Sequence, residues 1–221
     1  MPGIRRRALI DLDAFRAQLR SEVLDARADA FGHGLALIAP VALSANVREV
    51  VVSDERDAAV ARAAGFAPGA VRRDREASGA DSTAYGLSGI GTPLLSLIGE
   101  VVALKRVEAA AGVSYGYTYR TSSRTTLALV ALGYADGVPR LASNRARVLV
   151  GDRTHPLVGR IAMDQFVLDV GDAEIALGSD AVLFGDPARG EPSALDWAHW
   201  TEREPLALTA GIAARVTRET R

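Results

Sequence analysis

Cysteine is absent from the 221 residues. The chain therefore offers no disulfide, no thiolate nucleophile and no thiolate metal ligand, which fits a cytoplasmic protein. Lysine is nearly absent: of 26 basic side chains, all but Lys105 are arginine. Arginine stays protonated, so imine chemistry is open to one side chain alone. No uninterrupted apolar run of about 18 residues occurs, which argues against a membrane-spanning helix. The basic start, Met1 to Arg7, is followed by Asp11 and Asp13 rather than by the apolar core of a secretory leader. The formal net charge is −1, so the overall balance points to neither nucleic acid nor an anionic membrane as partner. A soluble cytoplasmic protein is the expectation.

What the chain does contain changes character near residue 92. Before it, α/β signals alternate. Ala8-Leu9-Ile10 reads as a strand, and Asp13 is placed to cap a helix from Ala14 to Glu22. Leu24 to Ala30 reads as extended and runs into the glycine-bracketed turn Phe31-Gly32-His33-Gly34. Leu35 to Leu43 is apolar enough for a buried helix, with Pro40 arguing against a regular one. Val50 to Val52 reads as a strand, and Ser53 as the cap of a helix that ends at Gly65. Residues 68–92, glycine-rich with a charged run from Arg72 to Glu76, read as a linker or a poorly regular region.

After residue 92 the pattern is all-β. Strands are expected at Leu97–Val107, Leu127–Leu132, Arg147–Val150, Pro156–Val158, Phe166–Val170 and Ala181–Phe184, with Gly151-Asp152 as a hairpin turn and Ser193 capping a short helix through Trp197. Two domains are expected, 1–92 and 93–221. His33, His155 and His199 show no metal-ligand spacing, so no metal site is expected. Asp136-Gly137 reads first as a turn.

Several segments carry more than secondary structure. In order along the chain they are Ala8 to Asp13, Ala26-Arg27-Ala28-Asp29-Ala30-Phe31-Gly32-His33-Gly34, Val113-Ser114-Tyr115-Gly116-Tyr117-Thr118-Tyr119, Gly133-Tyr134-Ala135-Asp136-Gly137, and Gly159-Arg160-Ile161-Ala162-Met163-Asp164-Gln165. Together they resemble the alanine racemase family, closely from about Leu94 to Arg218 and more loosely from Ala8 to Phe66. The resemblance implies an α/β N-terminal remnant of a TIM-type barrel plus a β-rich C-terminal domain of the alanine racemase kind. A complete barrel of that type takes around 250 residues, so most of it is missing here.

The resemblance also implies a set of site residues. The family's cofactor is pyridoxal phosphate, an electron sink held as an imine on a lysine. Arg27 stands at that lysine's position, where it reads either as a contact to an anion or as an ion-paired arginine. Phe31 replaces a tyrosine whose hydroxyl would bond the phosphate, and Ala214 stands where many members carry another. Tyr115 holds the position of the family's second base. Tyr134, Met163 and Asp164 match residues facing substrate. Lys105 falls on a β-domain strand, where the family often has a lysine without a cofactor role. The expectation is a catalytically inactive family member that takes no cofactor, with the β-domain as a ligand-binding or dimerisation module. A homodimer is expected, with a small amino acid as a possible ligand. The alternative is a pyridoxal-phosphate-dependent racemase interconverting L- and D-alanine for cell-wall synthesis.

Overall fold

Ala8 and Ile10 are fully buried, and this alternation sets β1 (Arg6–Ile10) as a strand with one face in the core. A computed structural model of the chain describes residues 3–74, 76, 77, 79 and 81–221. Met1 and Pro2 of the basic start, and Arg75, Ser78 and Ala80 of the glycine-rich stretch, lie outside the described residues. Helix α1 (Leu12–Gln18) follows β1, and its cap is Asp11, whose side chain accepts the Ala14 N–H, rather than Asp13. Both aspartates can cap; Asp13 falls in the first turn, where a carboxylate still faces the helix dipole favourably.

β2 (Val23–Asp25) is extended, but the extension stops there and not at Ala30. A single turn, α2 (Arg27–Phe31), comes next, then α3 (Leu35–Ser44). Pro40 sits inside α3 on its exposed side, so the carbonyl it leaves unbonded, that of exposed Ala36, faces water and the helix survives. β3 (Glu49–Val52) leads to α4 (Glu55–Ala63), capped by Asp54 and not by Ser53. The segment read as a linker contains β4 (Val71–Arg73), which pairs in parallel with β3. The order β2-β3-β4 forms a three-stranded parallel sheet.

The remaining strands are β5 (Leu95–Val107), β6 (Gly112–Val113), β7 (Tyr119–Arg120), β8 (Thr125–Val130), β9 (Arg147–Val150), β10 (Arg153–Val158), β11 (Phe166–Gly171), β12 (Asp180–Phe184) and β13 (Thr217–Thr220). Helices α5 (Ala194–Thr201) and α6 (Pro205–Ala210) precede β13. Ser193 caps α5, and Asp196 returns a bond to the Ser193 N–H. Gly151 and Asp152 form the two-residue turn joining β9 to β10.

The larger sheet runs β12-β9-β10-β11-β8-β5-β1-β13, and β12 also pairs with β5. The length of β5 makes this possible. Its second half, Val101 to Val107, pairs with β8, while its first half lies between β1 and β12. Six strands thereby close into a barrel with no free edge, and β1 and β13 extend from its seam. One continuous apolar core includes Ala8, Leu24 and Val50, barrel residues such as Val148 and Phe166, and Trp197 of α5. The small parallel sheet and the barrel are thus packed on each other, and a groove between α2 and α6 lies at their junction.

Candidate functional site

The turn α2 is left-handed. Ala28, Asp29, Ala30 and Phe31 have φ of 52°, 56°, 54° and 50°. For residues other than glycine this conformation costs roughly 1–2 kcal/mol each, so it persists only where other contacts impose it. The contacts are specific. The Ala28 N–H donates to Ser53 Oγ at 2.7 Å, and the Asp29 N–H to Asp57 Oδ2 at 3.3 Å. Arg218 Nε donates to the Gly32 carbonyl at 3.0 Å. Gly32, at φ 77°, passes so close to α6 that a Cβ would lie 2.0 Å from the Thr209 oxygen.

Beneath the turn, His33 is fully buried. Its Nδ1 lies 2.9 Å from the Ala30 oxygen and 3.1 Å from that of Phe31, which assigns the proton to Nδ1. Burial pushes its pKa down to about 4. The ring packs 4.8 Å from that of Tyr85, whose hydroxyl donates to the Asp25 carbonyl at 2.8 Å and is held well above its usual pKa by burial.

Arg27 opens the turn. Its Nε donates to Asp25 Oδ1 at 2.9 Å and Nη2 to Asp25 Oδ2 at 2.7 Å, a two-pronged pair. The Asp25 carboxylate is almost wholly buried, and its hydrogen bond raises the Arg27 pKa further. Of the two readings of Arg27 open in the sequence, the geometry is that of an ion-paired arginine. Phe31 is mostly buried, edge-on to Tyr85 with centroids 5.3 Å apart. Arg27 and Phe31 line a cavity of about 510 Å³ together with Ser53, Leu206 and Ala207. Ala214 is exposed and lines a neighbouring cavity of about 590 Å³, which also touches the left-handed turn.

Asp136 lies at the centre of a second group. It is fully buried, its Oδ2 accepts the Gly133 N–H at 2.7 Å, and its Oδ1 lies 2.6 Å from Arg215 Nε and 3.5 Å from Arg6 Nε. Its carbonyl accepts from the Ala213 N–H. Beyond a turn, then, Asp136 joins the opening strand, the Gly133–Gly137 loop and the C-terminal segment. Arg215 also reaches Asp164 at 2.7 Å. Tyr134 and Ala135 donate their N–H groups to the carbonyls of Ala162 and Met163. Tyr134, Met163, Asp164 and Ala214 are thus brought together through Asp136 and Arg215. The Tyr134 ring lies under Arg140, 5.5 Å from its guanidinium carbon.

Tyr115 is elsewhere. It is 72% exposed and lines a separate cavity of about 330 Å³ with Tyr117, Ala162 and Gln165. Lys105 is exposed on β5 opposite Leu127. Among the described residues, no group of three or more acidic or histidine side chains is placed to hold a metal ion. Sequence reasoning missed Asp25, Tyr85 and Arg215. Asp25 and Arg215 were legible only as neighbours of Arg27 and Ala214, and nothing in the pattern marked Tyr85.

These features define a class: a closed six-stranded barrel packed against a small parallel α/β unit, with a strained left-handed turn at the junction. Residues 94–220 match the family model described as alanine racemase, C-terminal domain, and the chain belongs to the alanine racemase family. It is 48% identical over 126 residues to an alanine racemase of Frankia casuarinae, covering 57% of this chain and 33% of that one. It is 45% identical over 141 residues to one of Thermobifida fusca, covering 61% and 38%. The chain therefore spans roughly a third of the length of the curated relatives it matches. The alanine racemase structure from Streptomyces coelicolor A3(2) superposes with a TM-score of 0.81 at 25% identity, covering 98% of each chain.

Pyridoxal phosphate does not fit the residues at these positions. A guanidinium forms no imine and gives up no proton near neutral pH, and Nε and Nη2 of Arg27 are turned to Asp25. Phe31 and Ala214 offer no hydroxyl.

Proposed function

We propose that the protein is a non-catalytic member of the alanine racemase family that holds no pyridoxal phosphate covalently and uses its β-domain as a ligand-binding or dimerisation module. The observation that carries this is the Arg27–Asp25 pair, which puts a permanently charged guanidinium, already bonded to a carboxylate, where the chemistry needs a free amine. On this reading Tyr115 is a retained surface residue and not a base, and Tyr134, Met163 and Asp164 line a face able to meet a small amino acid. The parallel strands β2, β3 and β4 with α3 and α4 are what is left of a TIM-type barrel. Residues 1–92 and 93–221 are then units of descent that now share one core. The exposed pair Tyr115 and Tyr117, 72% and 62% accessible, supplies the contact face of a homodimer.

The test is direct. Purified protein is mixed with pyridoxal phosphate, reduced with borohydride, and mapped by mass spectrometry, with alanine racemisation assayed in parallel. The expected result is no adduct and no turnover. A stoichiometric adduct at Lys105, or racemisation above background, overturns the reading. Light scattering reports the dimer, and a mass that stays at one chain removes that part alone.

A further inference from the structure

The same groove also bears on the other end of the cofactor, its phosphate. We propose that the cavity between the left-handed turn and the C-terminal segment excludes phosphate monoesters altogether, whether or not a covalent bond is available; this rests on the reading above and extends it. The cavity of about 590 Å³ is lined on its polar side by Asp29, Asp54, Arg56, Asp57 and Arg218, with Ala214 at its edge. A phosphate monoester carries about 1.5–2 negative charges near pH 7, and three carboxylates border this space.

Most of the groups that could offset them are committed. Arg218 aims Nε at the Gly32 carbonyl, Nη1 at those of Ala213 and Val216, and Nη2 at that of Ile212, all at 2.7–3.0 Å. A left-handed turn ordinarily presents a row of N–H groups that can cradle an anion. Here the Ala28 N–H is taken by Ser53 Oγ and the Asp29 N–H by the Asp57 carboxylate. The first turn of α4, which begins beside the cavity, gives its Asp57 N–H to Asp54 Oδ1 at 2.9 Å. The buried Asp57 thus puts a carboxylate oxygen on an N–H that an anion would otherwise use. Of the lining side chains only Arg56, on the exposed face of α4, is a cation not turned to backbone carbonyls. Of the two positions that would carry hydroxyls, Ala214 lines this cavity and Phe31 lines the neighbouring one of about 510 Å³.

Pyridoxine 5′-phosphate separates this inference from the imine, because it has an alcohol where pyridoxal phosphate has its aldehyde. Calorimetric titration of the wild-type chain is expected to show no saturation below about 1 mM, and inorganic phosphate is expected to behave the same way. Phe31→Tyr/Ala214→Tyr restores the hydroxyls and is also expected not to bind. Adding Asp29→Asn, Asp54→Asn and Asp57→Asn removes the charges while leaving an oxygen to accept each N–H. That variant is expected to bind at least about 10-fold more tightly than the double-tyrosine one. If circular dichroism shows it unfolded, Asp29→Asn/Asp57→Asn is compared with wild type in its place. Saturable wild-type binding below about 1 mM, or no gain on neutralisation, overturns the inference. Wild-type binding without a borohydride adduct sinks this inference and spares the proposed function; an adduct at Lys105 without pyridoxine 5′-phosphate binding does the reverse.

Discussion

Arg27 lays two nitrogens of its guanidinium on the two oxygens of Asp25, at 2.9 and 2.7 Å, and Asp25 Oδ1 also accepts the Arg27 backbone N–H at 3.2 Å. The carboxylate is 5% exposed and the guanidinium 28%, so the pair is half in and half out of water. Removing one partner leaves the other without its counter-charge. Arg27→Ala should cost about 2–4 kcal/mol, since the orphaned carboxylate lies in the core. Asp25→Ala should cost a similar amount because the backbone N–H is lost as well. The double variant should be milder than the sum, with a coupling of about 1–3 kcal/mol. Urea unfolding of the four proteins measures this, and additive single effects would show that the pair contributes nothing as a pair.

Asp136 argues for a larger effect. It is the fully buried carboxylate on which the Gly133 N–H and Arg215 converge, with Arg6 nearby. Asp136→Ala strands these donors and should cost about 3–5 kcal/mol, a fall in melting temperature of roughly 6–20 °C for a chain of this size. Arg215→Ala should cost clearly less, because that side chain is 40% exposed and water can replace part of what it loses. Thermal melts of both variants decide the order, and equal losses would mean that the carboxylate is not the centre of the group.

The left-handed turn gives a prediction of opposite sign. Ala28 has a φ of 52° and is exposed, and its side chain does not hold the turn. Ala28→Gly relieves a strain of roughly 1–2 kcal/mol against an entropic cost of about 0.5–1 kcal/mol. A net stabilisation of about 0.5–1 kcal/mol is expected from these two figures. An ordinary right-handed helix would be weakened by the same change. Chemical denaturation distinguishes the two, and destabilisation would mean that the turn is right-handed in solution.

That turn also marks where the sequence stops being legible. The barrel strands announced themselves because inward positions such as Ala128, Val130, Phe166 and Leu168 alternate with more exposed ones. Gly151-Asp152 fixed their hairpin. Alanine carries no mark of positive φ, so Ala28 and Ala30 read as extended chain. The caps at Asp11 and Asp54 were each misplaced by one or two residues because Asp13 and Ser53 are equally able to cap. β13 is Thr-Arg-Glu-Thr, with no apolar side to betray it, and pairs with β1 only because the chain returns there. The family motif pointed to Arg27, Tyr115 and Asp164, of which Tyr115 lies apart in its own cavity. It could not say that Arg27 is paired to the residue two positions before it, since that depends on the sharp exit from β2.

Acid should destabilise the protein through its histidines. His33 has a folded pKa of about 4 because burial penalises its charged form, and the ordinary value is about 6.5. Between those values the unfolded chain takes up a proton that the folded chain refuses, so stability falls as pH drops through that window and levels off below it. The loss is at most about 3–4 kcal/mol from this residue. His155, also held down by burial, acts in the same direction. Asp57 is pushed up by burial and by Asp54 and Asp29, so its own penalty is relieved as the carboxyl protonates, which offsets part of the loss in acid. His33→Asn keeps a donor for the Ala30 and Phe31 carbonyls and cannot titrate. Its stability curve should be flatter than wild type from pH 6.5 to 4, and an unchanged slope would exclude His33 as the source.

The small parallel sheet does not close on itself among the described residues. Among them, its order β2-β3-β4 leaves the outer side of β4 without a neighbouring strand in the sheet. An unpaired edge offers N–H and C=O groups to any passing strand, and charged side chains are a common guard against that. β4 is Val71-Arg72-Arg73, and both arginines are ion-paired: Arg72 to Glu49 at 2.8 Å and Arg73 to Glu55 at 3.4 Å. Arg73 is the more accessible, and its surface pair is worth no more than about 1 kcal/mol, so replacing it should hardly change stability. What should change is association. Arg73→Val puts a β-branched apolar residue at the exposed end of the edge, and two copies can then pair β4 to β4 across a twofold axis. Light scattering over rising concentration should show the Arg73→Val chain growing beyond the wild-type mass. Arg73→Glu, which keeps a charge at the edge, should stay at that mass. If Arg73→Val also stays there, the outer side of β4 is protected by something other than its charges, and the guard assigned to Arg73 is wrong.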